Sequence, residues 1–202
     1  NAGIAELVKE NQLENVKIKV HLFFDKKVAD VFSTKEINDG TDIIIMGTAG
    51  ASNLKELFVG SNTQKVVRYA EAPVLAIKEK MDISKINDLI FASDFKDEKS
   101  INAFKKLIAL VQAMDVTTHL LKVVTPTYFE DADTSLAKIE KFIEGTQVKN
   151  YKISVYNNYS PEEGITEYSK KYENSVICMA TNGLQGFSHF ISGSVSEDLV
   201  NR

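Results

Sequence analysis

Short apolar segments alternate with amphipathic segments along the chain from residue 87 onward. The apolar segments are rich in β-branched residues and show little alternation with polar residues, as in strands of a sheet covered on both faces. They span 87–95, 116–124, 151–156 and 175–180. The amphipathic segments carry apolar residues at helical spacing and span 98–114, 134–145 and 160–172. This α/β pattern predicts an open parallel sheet with right-handed crossovers and helices on both faces.

The chain also repeats itself at an offset of 133 positions. Residues 41–61 match residues 174–194 without a gap. The identical pairs include Met46 and Met179, Thr48 and Thr181, Gly50 and Gly183, Gly60 and Gly193, and Ser61 and Ser194. Gly47 falls on Ala180, which is the main mismatch. An offset of this length is the size of a whole domain, so the sequence predicts two tandem copies.

The first copy carries an incomplete version of the pattern. Its predicted strands span 15–24, 41–47 and 73–78, and its predicted helices span 1–12, 27–38 and the residues after Ser61. It lacks a counterpart of the strand, helix and strand at 87–124. We therefore expect a partial first domain at 1–80 and a second domain at 85–202 without its last strand. The whole is expected to be a fragment of a longer tandem protein, truncated at both ends.

Glycines follow the strand predicted at 41–47 and precede the next helix. In a parallel α/β sheet, ligands bind where strands end and helices begin. Gly47 and Gly50 let the backbone turn tightly and approach a ligand without a Cβ atom in the way. The free N–H groups after Gly60 and Ser61, at a helix start, are suited to phosphate. The spacing therefore favours a phosphate or nucleotide site.

A structural alternative explains the same serines. Ser61 with Gln64, and Ser194 with Glu197, match the capping box, in which a serine side chain satisfies an N–H group of the first helical turn. A capping box occupies only some of the free N–H groups of a helix start. On the residues alone, phosphate binding and a capped turn both stay open.

The spacing Gly47-x2-Gly50-x9-Gly60-Ser61, followed by "KVVRYAEAPVLAIK", resembles the signature of the universal stress protein family. The resemblance covers the whole chain as a tandem with a partial first domain. It implies an adenine nucleotide alpha hydrolase-like fold with strand order 3-2-1-4-5. It also implies binding of ATP or a related adenine nucleotide, with Mg²⁺ only as a companion of the nucleotide. The binding residues that it implies are Gly47, Gly50, Gly60, Ser61, Asn62, Asp94, Val124, Thr181, Gly183, Gly193, Ser194 and Val195.

The same resemblance assigns roles within the second copy. Asp94 matches a residue that contacts the nucleoside, and Val124 matches an adenine contact. The matches to ribose and phosphate contacts are Gly183, Gly193 and Ser194. The first copy keeps only the phosphate half of the site. Asp94 also has a plain interpretation, as a turn residue that closes a strand. Ala180 and a spacer without Lys or Arg are expected to weaken triphosphate binding in this copy.

Composition excludes several classes of function. The 202 residues are 44% hydrophobic and 26% charged, values that are ordinary for a soluble globular protein. The net charge of −4, without a long basic run, argues against nucleic acid or a membrane surface as the partner. The single cysteine, Cys178, is predicted to be a buried structural thiol and favours the cytoplasm. No metal-ligand spacing occurs, and His119 and His21, within strand-like runs, are interpreted as structural.

Three functions follow from the sequence. The first is a stress-response sensor or switch that binds an adenine nucleotide without fast catalysis. The second is an interaction scaffold of the same fold that has lost nucleotide binding, and the third is a slow ATPase. The strand from Pro73 to Lys78 begins with a residue that has no N–H to donate, which suits a sheet edge. This edge predicts self-association, as in a dimer.

Overall fold

The computed structural model describes residues 15–19, 21, 24, 30–31, 40–47, 63, 65–67, 70, 72–77, 82–96, 98–111 and 114–179. The strands in these ranges are β1 (Ile44–Gly47), β2 (Val74–Ile77), β3 (Asp88–Ala92), β4 (Thr117–Val124), β5 (Tyr151–Asn157) and β6 (Ser175–Met179). The helices with described bounds are α1 (Glu98–Val111), α2 (Ala132–Glu144) and α3 (Pro161–Ser169), with a 3-10 turn at Ile83–Lys85.

The strands form two parallel sheets. The larger sheet has the order β5-β4-β3-β6, and each neighbouring pair in it is parallel. Counted within the second copy, this order is 3-2-1-4, as the family resemblance implies. In the first copy, β1 pairs with β2 in parallel, as the fourth and fifth strands of that order should. The prediction of a parallel α/β sheet is confirmed for the described residues.

The helices predicted for the second copy are also confirmed, with ends that differ by a few residues. Ser160 caps α3, because its hydroxyl accepts a hydrogen bond from the N–H of Glu163 at 3.1 Å, and Pro161 is the first residue of that helix. α2 begins two residues earlier than predicted because Asp131 is its N-cap, accepting from the N–H of Thr134 at 2.9 Å.

Two predicted strands need correction. The strand expected at 87–95 ends at Ala92. Beyond it, the Ser93 hydroxyl accepts a hydrogen bond from the N–H of Phe95, and Phe95 adopts a φ of 57°, so the chain leaves the extended conformation. The strand expected at 15–24 is not formed by those of its residues that the structure describes. The described strands β1 and β2 pair with each other, and no pairing of residues 15–24 with either of them is found among the described residues.

The helices cover both faces of the larger sheet. On one face, α1 and α2 pack against β3 and β4 in a cluster of buried side chains: Phe91, Phe95, Phe104, Ile108, Leu120, Ile139 and Phe142. The rings of Phe91 and Phe104 lie 4.7 Å apart, and those of Phe95 and Phe142 lie 4.9 Å apart in an edge-on arrangement. On the other face, α3 packs against the sheet in a second cluster: Ile90, Ala92, Leu121, Ile165 and Tyr168. Each face therefore has its own apolar core.

Gly164 lets α3 approach β4 closely. A Cβ atom on this residue would lie 2.6 Å from Cγ1 of Val123 and 3.1 Å from Cβ of Asn158. We expect Gly164→Ala to lower the free energy of unfolding by about 1 kcal/mol, because overpacking outweighs the helix propensity that alanine gains. Urea denaturation measures this change, with Glu163→Ala on the exposed side of α3 as the control. A Gly164→Ala chain as stable as the native chain would contradict the expectation.

β2 has β1 as its only partner strand within the described residues. Self-association through the strand from Pro73 to Lys78 stays a prediction, as do the domain boundaries 1–80 and 85–202.

Candidate functional site

Two residues implied for nucleotide binding lie at the same edge of the larger sheet. Asp94 follows the carboxyl end of β3, and Val124 is the last residue of β4. These strands are neighbours, with Ala92 opposite Leu121. The pairing continues past β3, because the N–H of Ser93 donates to the carbonyl of Leu121 at 3.1 Å. The structure therefore places the two predicted residues on adjacent strand ends.

The direction of the chain reverses at β3. From this strand the chain crosses through α1 to β4 on one side, and it later returns through α3 to β6 on the other side. In open α/β sheets, a crevice forms outside the carboxyl ends of the strands at such a reversal, and ligands bind there. Asp94 stands at this point of the sheet.

The Asp94 carboxylate takes part in a turn. It accepts a hydrogen bond from the N–H of Lys96 at 3.3 Å and lies 3.9 Å from the Lys96 ammonium group. This is the contact that the plain turn interpretation expects. The side chain nevertheless stays half-exposed, and each carboxylate has several acceptor positions. Asp94 can therefore serve the turn and accept a further hydrogen bond from a ligand.

Phe95 holds this turn in place. Its φ of 57° lies in the left-handed region, which is uncommon for a bulky residue. The ring is buried against Phe91 and Phe142. Strained backbone of this kind persists only where the surroundings determine it, and it concentrates at functional sites. Burial of the Phe95 ring thus sets the position of Asp94 beside it.

Val124 is buried at the end of β4, and its carbonyl accepts a hydrogen bond from the N–H of Asn158 at 3.1 Å. The other described residue implied for binding is Gly47, the last residue of β1, where a Cβ atom would come no closer than 3.9 Å to the carbonyl oxygen of Ile77. Among the described residues, none lies close enough to Gly47 to require a glycine there by packing. The residues that lie outside the described part are Gly50, Gly60, Ser61, Asn62, Thr181, Gly183, Gly193, Ser194 and Val195.

An ion-pair cluster fixes the loop that follows β4. Lys122 of β4 is only 5% exposed, and its ammonium group donates to the carboxylate of Glu130. Glu130 also accepts from Lys138 and, at 2.9 Å, from the Ser135 hydroxyl. The hydrogen bonds from Lys122 and then from Lys138 lower the pKa of the Glu130 carboxyl to about 2. The loop is therefore tied both to the sheet and to α2.

A second polar cluster lies near the amino ends of β3 and β4, away from the carboxyl ends beside Asp94. His119, fully buried on β4, has one ring nitrogen 2.8 Å from the Asp88 carboxylate and the other 2.9 Å from the Tyr168 hydroxyl. The Tyr168 hydroxyl lies 2.6 Å from that of Ser154, and burial raises the pKa of this tyrosine to about 12. Both ring nitrogens of His119 are thus engaged in the core, which agrees with the structural interpretation. Asp88 is the first residue of β3, so this cluster lies away from Asp94.

The remaining cysteine, cavity and acidic groups that the structure describes add no reactive side chain beside Asp94. Cys178 is partly buried against the aromatic core, and burial raises the pKa of its thiol to about 12. A cavity of about 310 Å³ is lined by Thr41, Asp42, Lys106 and Ala109. Lys106 and Ala109 belong to the half of α1 that is remote from Asp94.

Within the described ranges, no group of three or more His, Cys, Asp or Glu side chains is placed to hold a metal ion. None of the helices there has both the length and the apolar character needed to cross a membrane.

Sequence reasoning missed the parts that position the site. It interpreted Phe95 as the end of a strand, and it did not single out Lys122 or Glu130. A lysine inside an apolar strand run, with a glutamate eight residues later before a helix, was the available signal for their pairing. No local sequence pattern predicts that a phenylalanine will adopt the left-handed backbone conformation.

Comparisons with known proteins agree with this fold. The model of the universal stress protein family matches residues 3–78 and 86–202. A universal stress protein of Methanocaldococcus jannaschii is 36% identical over 87 residues, which is 35% of this chain and 49% of that protein. One of Thermus aquaticus is 37% identical over 57 residues, or 28% of this chain and 42% of that protein. The chain thus spans half or less of the length of these curated relatives.

A solved structure is similar over almost the whole chain. The crystal structure of a universal stress protein from Archaeoglobus fulgidus has a TM-score of 0.69 at 20% identity and covers 98% of this chain and 71% of that one. At this identity the likeness supports the fold, an α/β architecture with parallel sheets. The two segments matched by the family model support two tandem copies and take in more than half of the residues. This chain belongs to the universal stress protein family.

Proposed function

We propose that the second copy binds an adenine nucleotide at the carboxyl edge of β3 and β4, and that this binding serves as a sensor or switch. Family membership supports a role in stress response. The observation that carries the proposal is the position of Asp94, half-exposed at the strand where the sheet order reverses.

The residues at this edge suit a nucleoside. The free acceptor positions of the Asp94 carboxylate accept hydrogen bonds from a ribose hydroxyl or a base amine. Val124 ends the neighbouring strand, where the resemblance implies an adenine contact. The resemblance implies that Gly183, Gly193 and Ser194 bind the ribose and phosphates. Mg²⁺ enters only with the nucleotide.

A scaffold without nucleotide is the competing function. It is favoured by Ala180, which replaces a glycine of the motif, and by the turn that already uses the Asp94 carboxylate. A slow ATPase is the remaining alternative, and phosphate release measured in the same samples distinguishes it from simple binding.

Equilibrium binding of ATP to the full chain, in the presence of Mg²⁺, tests the proposal. We expect the native chain to bind ATP and Asp94→Asn to bind it about tenfold more weakly, because a charge-assisted hydrogen bond is lost. Asparagine keeps an oxygen that can accept from the N–H of Lys96, so the turn is preserved. Asp115→Asn makes the same change of charge at an exposed position before β4 and serves as the matched control. No detectable binding by the native chain, or equal binding by both variants, would reject the proposal.

A further inference from the structure

Three aromatic side chains are strongly exposed at the same edge of the sheet. Tyr128 is 76% exposed, Phe129 is 80% exposed and Tyr159 is 87% exposed. Tyr128 and Phe129 lie in the loop after β4, and Tyr159 lies in the loop after β5. Aromatic side chains carry a large apolar surface, and adjacent exposed ones mark a surface that contacts a ligand or partner.

The loop that carries Tyr128 and Phe129 is anchored on both sides of the pair. Before it, the N–H of Tyr128 donates to the carbonyl of Thr125 at 3.1 Å and lies 3.3 Å from its hydroxyl. After it, Glu130 is held by Lys122 and Lys138. The two rings therefore project from a braced backbone, and a ligand that they contact does not have to order the loop.

The position of this loop relates it to Asp94. The loop begins directly after Val124, on the strand next to β3. Neighbouring strands lie about 4.8 Å apart, and β5 is one strand further away. A base held beside Asp94 is consequently nearer to the loop after β4 than to Tyr159.

We propose that Tyr128 and Phe129 form a stacking surface for the base of the nucleotide bound beside Asp94. This inference rests on the proposed function and adds the residues that recognise the base. Aromatic rings stack on the flat faces of bases, and such stacking is sequence-tolerant because every base has a π-face. The pair thus supplies affinity for a base, while Asp94 supplies hydrogen-bond direction.

The charges around the pair orient the ligand. Asp131 and Asp133 follow Phe129 and are exposed. With Glu130, these carboxylates outnumber the two lysines that pair with Glu130, so the loop has a net negative charge that disfavours phosphate groups. The base therefore lies on the side of β4, and the phosphates extend past β3 toward β6. In the sequence, β6 is followed by Gly183, which the resemblance implies for the contacts with ribose and phosphate. The same carboxylates disfavour a nucleic acid strand as the occupant of this surface.

The affinity of the full chain for ATP tests the inference. We expect the double variant Tyr128→Ala/Phe129→Ala to bind ATP on the order of 10- to 100-fold more weakly, as for the loss of a stacked base. Tyr159→Ala removes an equally exposed ring from the neighbouring loop and should leave the affinity unchanged. All three residues are exposed, so thermal unfolding should stay near that of the native chain.

A fluorescent reporter gives a second measurement. The chain contains no tryptophan, so Phe129→Trp introduces a single one at the stacking surface. ATP should quench its fluorescence, whereas Tyr159→Trp, the matched control, should not respond.

The outcomes separate this inference from the proposed function. Full ATP affinity in the double variant, together with weakened binding by Asp94→Asn, would overturn the stacking role and leave the nucleotide site standing. A loss of affinity in Tyr159→Ala as large as in the double variant would overturn the placement of the base. Absence of ATP binding in the native chain would overturn both.

Discussion

Replacing Glu130 with glutamine is expected to lower the free energy of unfolding by about 3 kcal/mol at pH 7, because it leaves the buried ammonium group of Lys122 without a counterion. The comparable change Glu140→Gln, at an exposed position of α2, should alter stability by less than about 0.5 kcal/mol. Urea denaturation of both variants and the native chain measures the difference.

The effect depends on pH in a defined direction. The pKa of the Glu130 carboxyl falls from 4.5 to about 2 in the folded chain. A group with a lowered pKa stabilises the fold above its unfolded value and loses that contribution as the pH falls through its folded value. The stability gap between the native chain and Glu130→Gln should therefore be widest above pH 4.5 and should narrow toward pH 2.

A double variant separates the loss of an ion pair from the loss of a side chain. Lys122→Met together with Glu130→Gln removes the buried charge as well as its partner, and it should recover much of the lost stability. A Glu130→Gln chain within about 0.5 kcal/mol of the native chain, or a double variant less stable than the single one, would contradict the role given to this cluster.

Substitutions of Phe95 should reverse the usual order of alanine and glycine. Phe95→Ala is expected to lower the free energy of unfolding by about 3 kcal/mol or more, because it removes the contacts with Phe91 and Phe142 in the aromatic core. Phe95→Gly should be about 1 kcal/mol less destabilising than Phe95→Ala, because glycine adopts a φ of 57° without steric cost. At most positions glycine is the worse of the two.

The comparison carries its own control. Phe104 belongs to the same cluster but lies within α1, where glycine disfavours the helix by about 1 kcal/mol relative to alanine. Phe104→Gly should therefore be less stable than Phe104→Ala. Thermal or urea unfolding of the four variants decides the matter, and the same order at both positions would show that the left-handed backbone of Phe95 carries no strain.

The parts of the fold that the sequence predicted are those with local periodicity. The helix α3 was predictable from Ser160 and Pro161, since a cap and a first-turn proline act within a few residues. The strand order followed from a family resemblance, and the parallel sheet followed from alternating elements. The apolar character of consecutive residues such as Ile90 and Phe91 is enough to predict a strand that is buried on both faces.

The parts that the sequence did not predict depend on contacts made across the fold. Lys122 and Glu130 are polar, and only the approach of α2 to β4 turns them into an anchor. The strand 87–95 was predicted too long because Phe95 is apolar, whereas its ring reaches the core from a turn. For the candidate site, Asp94 and Val124 were found by resemblance, while the exposed pair Tyr128 and Phe129 needed the structure to show that their loop is braced.

The anchoring of Glu130 also limits how this loop can change in evolution. Surface loops usually accept insertions and deletions, because little else depends on their length. Here the spacing between Val124 and α2 must let Glu130 reach the ammonium group of Lys122, which is buried and cannot follow it. A longer or shorter loop would leave the Lys122 ammonium group buried without its counterion. Related chains with a lysine at this position should therefore keep the length of the loop, whereas the loop length should vary freely in chains with an apolar residue there.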